Sequence, residues 1–513
     1  MIAAPARRAS PPPDAHIEGW VHDKLEPGKI VYLAALTVLY LAAACATARA
    51  KLVWYDEFFT LHLSRLPSIG DIWHALAIGT TNDAPLNYLL TRASFAVMGP
   101  GHIAFRFPAI AGIWIMCLCL YAYAARRWGT LWGFVALLLP LATGVWYYAC
   151  EGRPYGVMMG CAGLAFLCWT EAAEGRRRKL ALAGLALSLA AAISTQYVSV
   201  LLWMPLAAGE LVQSFRRRRA DWGVWIAMAA GAAPLAFFIP LLRASHQYSA
   251  HIWEGASLYA AYGTYGLLLA PILAPLVFAL IACVWETSGA PRVNRTLAFA
   301  LPAHEAAAAI GLVLLPFCGY ALGRLVTGTY VPRYGLAAII GVAILFVALT
   351  GKRAKTGAIL ACVFFGCFVF NVAQSPRGSA ADASAAYRTL DVNAFQKEGD
   401  LPVVVSNADL FLKLEEYGPA ALKARLFSLH DAAAAIRFLG NDTGERNMGG
   451  LSRVAALPIV DYTGFVRDHR RFLVYGLFVT RFDWLIDQLR ASGARVEYLR
   501  QVGNDWLFLI EFP

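Results

Sequence analysis

The stretch KIVYLAALTVLYLAAACATARAKLVWYDEFF, residues 29 to 59, places an apolar run just before two adjacent acids, Asp56 and Glu57. The apolar run covers about residues 30 to 48, long enough to cross roughly 30 Å of hydrocarbon as a helix. The acids follow among aromatic side chains, which favour the membrane–water interface. The stretch therefore predicts a membrane-spanning helix that ends in an acidic loop at the membrane surface.

The composition of the whole chain is that of a protein that crosses a membrane many times. Of its 513 residues, 59% are hydrophobic and 15% are charged, and the mean hydropathy is +0.54. A soluble domain carries fewer apolar and more charged residues. Apolar runs of spanning length recur as far as about residue 374. We therefore expect an α-helical polytopic membrane protein with about 11 to 13 spans in residues 30–374.

The formal net charge of +11 does not indicate nucleic-acid binding, because the basic residues stand in short clusters between apolar runs. These clusters are RRRK at 176–179, RRRR at 216–219 and KRAK at 352–355. Such clusters are typical of cytoplasmic loops. With residues 1–29 as a cytoplasmic arm, the loop 49–83 and everything after about residue 375 are predicted to lie outside the cytoplasm.

The alternation of sides fails between residues 126 and 194, because counts from the two ends place the cluster at 176 on opposite sides. The run at 130–148 is interrupted by Pro140 and Gly144, so we expect it to be re-entrant or split. The loop at 99–103 is then cytoplasmic. Glu151 and the turn at Gln196 and Tyr197 then face outside.

Residues 375–513 have the composition of a small globular domain, predicted to be α/β and extracytoplasmic. The segments 401–407, 471–478, 495–501 and 506–512 read as strands, and NADLFLKLEEYG and TRFDWLIDQLRASG read as helices. The domain has no glycine-rich phosphate loop and no metal-spaced Cys or His cluster. The ten cysteines of the chain all precede residue 370 and read as small core residues. We expect no cofactor.

Four motifs stand in an order that resembles a known family. They are WYDEFFTLHLS (54–64), NDAPLNYLLTRASFAVMGPGHIAFRFPAIAG (82–112), YACEGRPYGVMM (148–159) and YVPRYGLAAI (330–339). In this order they resemble the polyprenyl-phosphate-sugar-dependent glycosyltransferases of the GT-C fold. Within that group the chain is similar to bacterial relatives of protein O-mannosyltransferases and of the aminoarabinose transferase that modifies lipid A. It departs from a common family form at TNDAPL (81–86), where a His-Pro-Pro-Leu run is often found.

The resemblance implies a cell-envelope glycosyltransferase of a bacterial inner membrane. Its donor would be a polyprenyl-phosphate-linked sugar, and its acceptor a lipid such as lipopolysaccharide, a glycan or a protein. Asp56 matches the proposed catalytic acid of the family and would act as general base, with Glu57 helping to bind or orient. Guanidinium groups suit phosphate near lipid, which favours donor contacts from Arg153, Arg333 and Arg106, with Tyr334 beside Arg333. Further residues expected to line the substrate site are Asp83, Glu151, Tyr155, Gln196, Tyr197 and His246.

Simpler interpretations of these residues remain open from the sequence. The acids Asp56 and Glu57 fit a solvated turn or the charged start of a helix, and with no residue between them they fit an Asp-x-Asp metal site poorly. Arg106 fits a cytoplasmic span end, and Asp83 fits a helix cap. Glu151 with Arg153 fits a local ion pair, and Arg333 with Tyr334 an interfacial anchor. A lipid-linked glycan transporter or an inactive scaffold are the alternative functions.

Overall fold

A computed structural model describes residues 19–246, 251–252, 254–288, 301–351, 354–389, 398–476, 483–502 and 505–513. Most of the predicted N-terminal arm, two residues of the 352–355 cluster and parts of two predicted C-terminal elements lie outside the described residues. The helices up to the last span are α1 Glu26–Ala50, α2 Tyr55–Ser64, α3 Ile69–Ala77, α4 Leu86–Met98, α5 His102–Trp128, α6 Thr130–Leu141, α7 Val145–Ala149, α8 Tyr155–Ala173, α9 Arg178–Thr195, α10 Trp203–Arg217, α11 Trp222–Ala232, α12 Pro234–Phe237, α13 Ile239–His246, α14 Leu258–Leu269, α15 Leu273–Ser288, α16 Ala303–Val313, α17 Leu315–Leu322, α18 Ala338–Thr350 and α19 Ala354–Thr389.

The helices form a bundle of membrane-spanning dimensions. Within the described residues, seven helices are long and apolar enough to cross a membrane. Two bent pairs have the length and composition of a broken span or a re-entrant loop: Trp222–Phe237 with Ile239–His246, and Ala303–Val313 with Leu315–Thr327. Two shorter apolar helices, α6 and α18, complete eleven apolar segments. The expectation of a polytopic helical protein is confirmed. The described residues hold seven helices of spanning length, or nine if each bent pair is one span, against the 11 to 13 spans predicted.

Helices α5 and α8 pack at very short range through glycine. A Cβ atom at Gly112 would overlap the backbone of Gly156, and one at Gly160 would lie 2.6 Å from the carbonyl oxygen of Gly112. In lipid, where helices gain little from the hydrophobic effect, small residues let two backbones approach and gain van der Waals contact. This contact holds α8, which carries part of the site, against α5.

One end of the bundle, the basic end, collects the arginine-rich turns. Arg126 on α5 pairs with Glu171 on α8 at 2.5 Å, and Arg127 pairs with Glu174 and with the buried Glu305 on α16. Farther along the chain, Arg178 pairs with Asp221 at 2.5 Å. The turns after α5, α8 and α10 therefore meet on one side, as the positive-inside pattern predicts.

The opposite end, the loop end, holds residues 51–57 and shows that the run at 84–99 does not cross the membrane. Helix α4 has 13 residues, about 20 Å at the rise of an α-helix, against roughly 30 Å of hydrocarbon. Its first turn follows the acid Asp83, and near its end Ser94 donates to the carbonyl oxygen of Ala104 at 2.6 Å. Both ends of α4 therefore lie at the loop end, and the prediction of a span there is wrong.

This correction also removes the conflict in the predicted topology. His102, at the start of α5, contacts the carbonyl oxygen of Lys51 at 3.0 Å. The loop at 99–103 therefore lies at the same end as residues 51–57, whereas the prediction placed these two segments on opposite sides. The run at 130–148 is split between α6 and α7, as expected. This split segment nevertheless extends from the basic end to the loop end, where the N–H of the following Gly152 donates to Glu57 at 2.5 Å.

The C-terminal domain is an α/β domain built on one six-stranded sheet of order β3-β2-β1-β4-β6-β5. Strands β1 to β4 are parallel, and β6 runs antiparallel between β4 and β5. Four strands fall at the predicted positions, whereas β2 and β3 were not predicted. The elements are β1 Val403–Val405, α20 Ala408–Tyr417, α21 Ala420–Lys423, β2 Leu426–His430, α22 Ala432–Leu439, α23 Thr443–Val454, β3 Ile459–Asp461, α24 Tyr462–Asp468, β4 Arg471–Gly476, α25 Leu485–Ala491, β5 Arg495–Val502 and β6 Asp505–Glu511.

The sheet domain rests on the loop end of the bundle. Arg65, just after α2, pairs through both terminal nitrogens with Glu416 on α20 at 2.9 and 3.0 Å. The Val53 N–H donates to the Tyr417 hydroxyl at 3.1 Å. Residues 53–65 and the domain therefore lie on the same side.

The composition change at residue 375 falls inside α19, which continues to Thr389.

Candidate active site

Asp56 and Glu57 occupy the first turn of α2, but they point to different surroundings. Successive residues on an α-helix are about 100° apart, so adjacent side chains cannot share one direction. The Asp56 side chain is 21% exposed, whereas the Glu57 side chain is fully buried. The helix therefore presents one acid to an open site and places the other in the protein interior.

Glu57 and Arg106 form a buried ion pair. The Arg106 Nε donates to Glu57 Oε1 at 2.8 Å and its Nη2 donates to Oε2 at 2.6 Å. Glu57 also accepts from the Gly152 N–H. A Cβ at residue 152 would lie 2.4 Å from the Phe105 ring, so glycine permits this close approach. Burial raises the pKa of Glu57, but the charge and hydrogen bonds of Arg106 outweigh it and lower the pKa overall.

The Arg106 guanidinium has no donor left for a phosphate. Its remaining N–H groups donate to the carbonyl oxygens of Ala48 and Lys51, both at 2.8 Å, and of Leu52 at 3.0 Å. With the two bonds to Glu57, these contacts use all five donors of the group. This geometry argues against the predicted donor contact of Arg106. The residue joins the end of α1 to the start of α2, and so fixes the direction in which Asp56 points.

Two arginines face Asp56. The Arg333 Nη2 lies 3.2 Å from Asp56 Oδ2, and the Arg153 Nη2 lies 4.0 Å from the same oxygen. Arg153 also donates from Nη1 to the Asp56 carbonyl oxygen at 3.1 Å. Residues from three separate motifs therefore meet at one point.

Asp83 completes the charged cluster. Its Oδ2 lies 2.9 Å from Arg153 Nη1, and its Oδ1 accepts from Gln196 Nε2 at 3.1 Å. Tyr88 donates to Asp83 at 3.4 Å and contacts Thr81 at 2.8 Å. Asp83 is thus held in place by several groups. The cluster of Asp56, Asp83, Arg153 and Arg333 is called the Asp–Arg cluster below.

The two arginines of the cluster remain charged. Burial lowers the pKa of Arg153, but Asp83 and Asp56 outweigh it and raise the pKa well above its ordinary value. Burial likewise lowers the pKa of Arg333, but Tyr155 and Asp56 outweigh this effect and raise the pKa above its ordinary value. The Arg333 guanidinium also lies 5.8 Å from the centre of the Tyr155 ring, within range of a cation–π contact.

Several buried polar atoms around the cluster have no hydrogen-bond partner among the described residues. They are Arg153 Nε, Arg333 Nε, Glu151 Oε2 and the Tyr197 hydroxyl. Buried polar groups in folded proteins are nearly always paired, so unpaired atoms that converge on one region mark a place where a polar ligand can complete them.

Glu151 is a buried acid beside the cluster. Burial raises its pKa to about 7, against the lowering effect of Lys51. Nearly all of the residue is inaccessible, at 2% exposure. Near neutral pH the carboxyl is therefore partly protonated and can donate a hydrogen bond as well as accept one.

The remaining predicted residues occupy different positions. Tyr334 is half-buried and packs edge-on to Tyr330 at a centroid distance of 6.2 Å. His246 is exposed at the end of α13. The contacts of Thr81, Tyr88 and Gly152 were not predicted, because nothing in their spacing along the chain marks them as neighbours of the acids.

The fold is similar to that of solved structures, and a segment that contains part of the site matches a family model. Residues 82–243 match the family model described as dolichyl-phosphate-mannose-protein mannosyltransferase. That segment contains Asp83, Arg153 and Gln196, but neither Asp56 nor Arg333.

Among solved structures, the chain is similar to ArnT from Cupriavidus metallidurans. Against the apo state the TM-score is 0.59 at 12% identity, and against the complex with undecaprenyl phosphate it is 0.54 at 13% identity. Both alignments cover 94% of this chain and 98% of ArnT. No curated protein sequence matches the chain significantly. The predicted resemblance and the GT-C-like membrane fold with a small C-terminal sheet domain are confirmed.

Proposed function

We propose that this protein is a membrane glycosyltransferase that moves a sugar from a polyprenyl-phosphate donor to an acceptor outside the cytoplasm, with Asp56 as general base. The observation that carries the proposal is the Asp–Arg cluster, in which a partly exposed carboxylate stands beside two guanidinium groups. The family model over residues 82–243 and the fold shared with ArnT, which was solved with undecaprenyl phosphate, support the same class of reaction.

The choice of Asp56 as the base follows from accessibility. Glu57 is fully buried in its pair with Arg106, and the Asp83 side chain is 6% exposed and held by Arg153. Asp56 is the acid of the cluster that an acceptor hydroxyl or amine can reach. We therefore assign Glu57 the role of a positioning residue, which holds α2 so that Asp56 faces the cluster.

The arginines supply what a phosphate needs. Arg153 and Arg333 each keep an unpaired Nε donor beside groups that already hold the guanidinium in place. A phosphate oxygen at this position receives charge-assisted hydrogen bonds, which are stronger than neutral ones. The unpaired Glu151 oxygen and the Tyr197 hydroxyl then remain for the hydroxyl groups of the sugar.

In the proposed reaction the acceptor oxygen or nitrogen attacks the anomeric carbon while Asp56 removes its proton. The bond between the anomeric carbon and the phosphate oxygen breaks, and the polyprenyl phosphate leaves with the electron pair. Arg153 and Arg333 stabilise the negative charge that grows on the leaving phosphate. This chemistry uses the side chains of this chain without a cofactor.

The location is part of the proposal. The basic end would face the cytoplasm, and the loop end with the sheet domain would face outward from a bacterial inner membrane. A lipid-linked donor presents its sugar where hydrocarbon meets water, which is the level at which α1 ends and the cluster begins. The acceptor would be a lipid, a glycan or a protein.

The direct test is sugar transfer from a polyprenyl-phosphate donor by the Asp56→Asn variant. Loss of the base alone is expected to slow transfer by about 10²- to 10⁴-fold, while expression and folding remain close to parental because Asp56 is partly exposed. Asp71→Asn is the matched control, since Asp71 is an exposed acid in the first turn of α3. Transfer by Asp56→Asn at the rate of the Asp71→Asn control would refute Asp56 as the base.

A further inference from the structure

A cavity lies at the loop end, and none of the four residues of the Asp–Arg cluster lines it. It has a volume of about 410 Å³ and is lined by α1, the segment from Thr143 to Cys150, the turn before α15, and α19. The proposed transfer reaction therefore leaves this cavity unexplained.

Two polar side chains, one in the last turn of α1 and one directly after the helix, line the cavity without a hydrogen-bond partner among the described residues. Thr47 is 4% exposed, and neither its Oγ1 nor the Lys51 Nζ has a hydrogen-bond partner among the described residues. The Lys51 N–H donates to the Thr47 carbonyl oxygen at 3.0 Å, which continues the helical spacing of four residues, so both side chains lie on the same side of the helix end. A buried ammonium without an acceptor is costly, and this cost indicates a missing anion.

The ammonium is held in place by an aromatic ring. The Lys51 Nζ lies 4.0 Å from the centre of the Tyr147 ring, a cation–π contact that leaves its N–H groups available. Burial lowers the pKa of Lys51, although the nearby Glu57 and Glu151 oppose the effect. An anion in the cavity would also oppose this lowering of the pKa.

The far wall of the cavity is polar where α19 reaches the loop end. Asn371, Gln374 and Ser375 line it, and Trp146 Nε1 donates to Ser375 Oγ at 2.7 Å. Next to them on α19, Phe370 is 62% exposed and Val369 is 42% exposed, so this helix presents an apolar surface toward lipid. The cavity thus joins a cation, neutral polar groups and hydrocarbon at headgroup level.

We propose that this cavity binds an anionic phospholipid of the surrounding bilayer, with its phosphodiester on Lys51 and Thr47 and its headgroup hydroxyls on the α19 side chains. One ammonium matches the single negative charge of a phosphodiester, whereas a phosphate monoester carries about −1.5 to −2 near neutral pH. The donor is not the expected occupant, because its phosphate would lie here away from the arginines that face Asp56.

The test is lipid binding by the purified full-length protein in detergent, measured by native mass spectrometry with phosphatidylglycerol and, in a separate arm, undecaprenyl phosphate. Lys51→Met should weaken phosphatidylglycerol binding by about tenfold or more, the effect expected for loss of a hydrogen bond to a charged group. Lys29→Met is the matched control, because Lys29 lies on the same helix but is exposed and paired with Glu26. Binding by Lys29→Met should equal that of the parent.

Three outcomes would overturn the proposal. Equal phosphatidylglycerol affinity in Lys51→Met and Lys29→Met would show that the ammonium binds no lipid phosphate. Tighter binding of undecaprenyl phosphate than of phosphatidylglycerol in a Lys51-dependent manner would show that the occupant is the carrier lipid. If Lys51→Met does not fold, Thr47→Val is the second variant, because it removes the hydroxyl but keeps the Lys51 charge and the side-chain shape at position 47. An unchanged phosphatidylglycerol affinity in Thr47→Val would also refute the site. The readout is binding and does not depend on transfer activity.

Discussion

Replacing Glu57 by Gln is expected to lower the free energy of unfolding markedly, although the substitution is nearly isosteric. Gln is close in size to Glu, but it leaves the Arg106 charge buried without its counter-ion. The five Arg106 donors contact only Glu57 and three backbone carbonyls, and both side chains are fully buried. Removing one partner of a buried pair typically costs about 3–5 kcal/mol. The carbonyls that remain place the expected loss near the lower limit, about 3 kcal/mol.

The chain offers a closely matched control in Glu416→Gln. Glu416 also binds an arginine through both carboxylate oxygens, but its partner Arg65 is 42% exposed. An exposed pair contributes about 0–1 kcal/mol because water and salt screen it. The measurement is the free energy of unfolding in denaturant and detergent, followed by tryptophan fluorescence. Equal losses in the two variants, or a loss below about 1 kcal/mol for Glu57→Gln, would refute the argument that burial makes this pair structural.

The pH dependence gives a second check on the same pair. Because the pKa of Glu57 is lowered in the folded state, the carboxylate stabilises the fold above its unfolded pKa, and this contribution is lost as the pH falls through the folded value. The difference between parent and Glu57→Gln should therefore be full at neutral pH and should shrink in acid. A difference that stays constant down to acid unfolding would contradict the assignment.

Three further predictions follow from the geometry of the site and the bundle. Since the pKa of Glu151 is raised to about 7, the fold loses stability as the pH rises from the unfolded value toward 7, so Glu151→Gln should be more stable than the parent at pH 8 by up to about 3 kcal/mol. The unfolding free energies of the two proteins should converge as the pH falls below the unfolded pKa of about 4.3, and equal values at pH 8 and at pH 4 would contradict the shift. Arg333→Lys keeps the charge but loses the planar guanidinium, which contacts Asp56 and in the proposed reaction also binds the donor phosphate. The KM for the donor should therefore rise about tenfold, and an unchanged KM would remove Arg333 from the proposed donor site. With the exposed Cys362 replaced by Ser, a cysteine at Asp400 should be labelled by an impermeant reagent in intact cells and one at Arg219 should not, and the reverse pattern would refute the proposed orientation.

The sequence by itself determined the membrane class and the existence of an α/β domain after the last span. These features follow from local composition, because each span must be apolar over its own length and each basic turn must stay outside the hydrocarbon core of the membrane. It also determined that Asp56 belongs to a motif with a resemblance to known transferases. Strands β2 and β3 escaped prediction because short buried parallel strands carry little alternation.

Only the tertiary structure decided which apolar runs cross and which acid faces the site. The run at 84–99 is apolar enough to suggest a span, yet the contacts of Asp83 and Ser94 place both ends of α4 at the loop end. Asp56 and Glu57 are equivalent by composition, but the position of Arg106 on α5 buries one and leaves the other beside Arg333. Such outcomes depend on contacts between residues far apart in the chain, and neither periodicity nor charge pattern records those contacts.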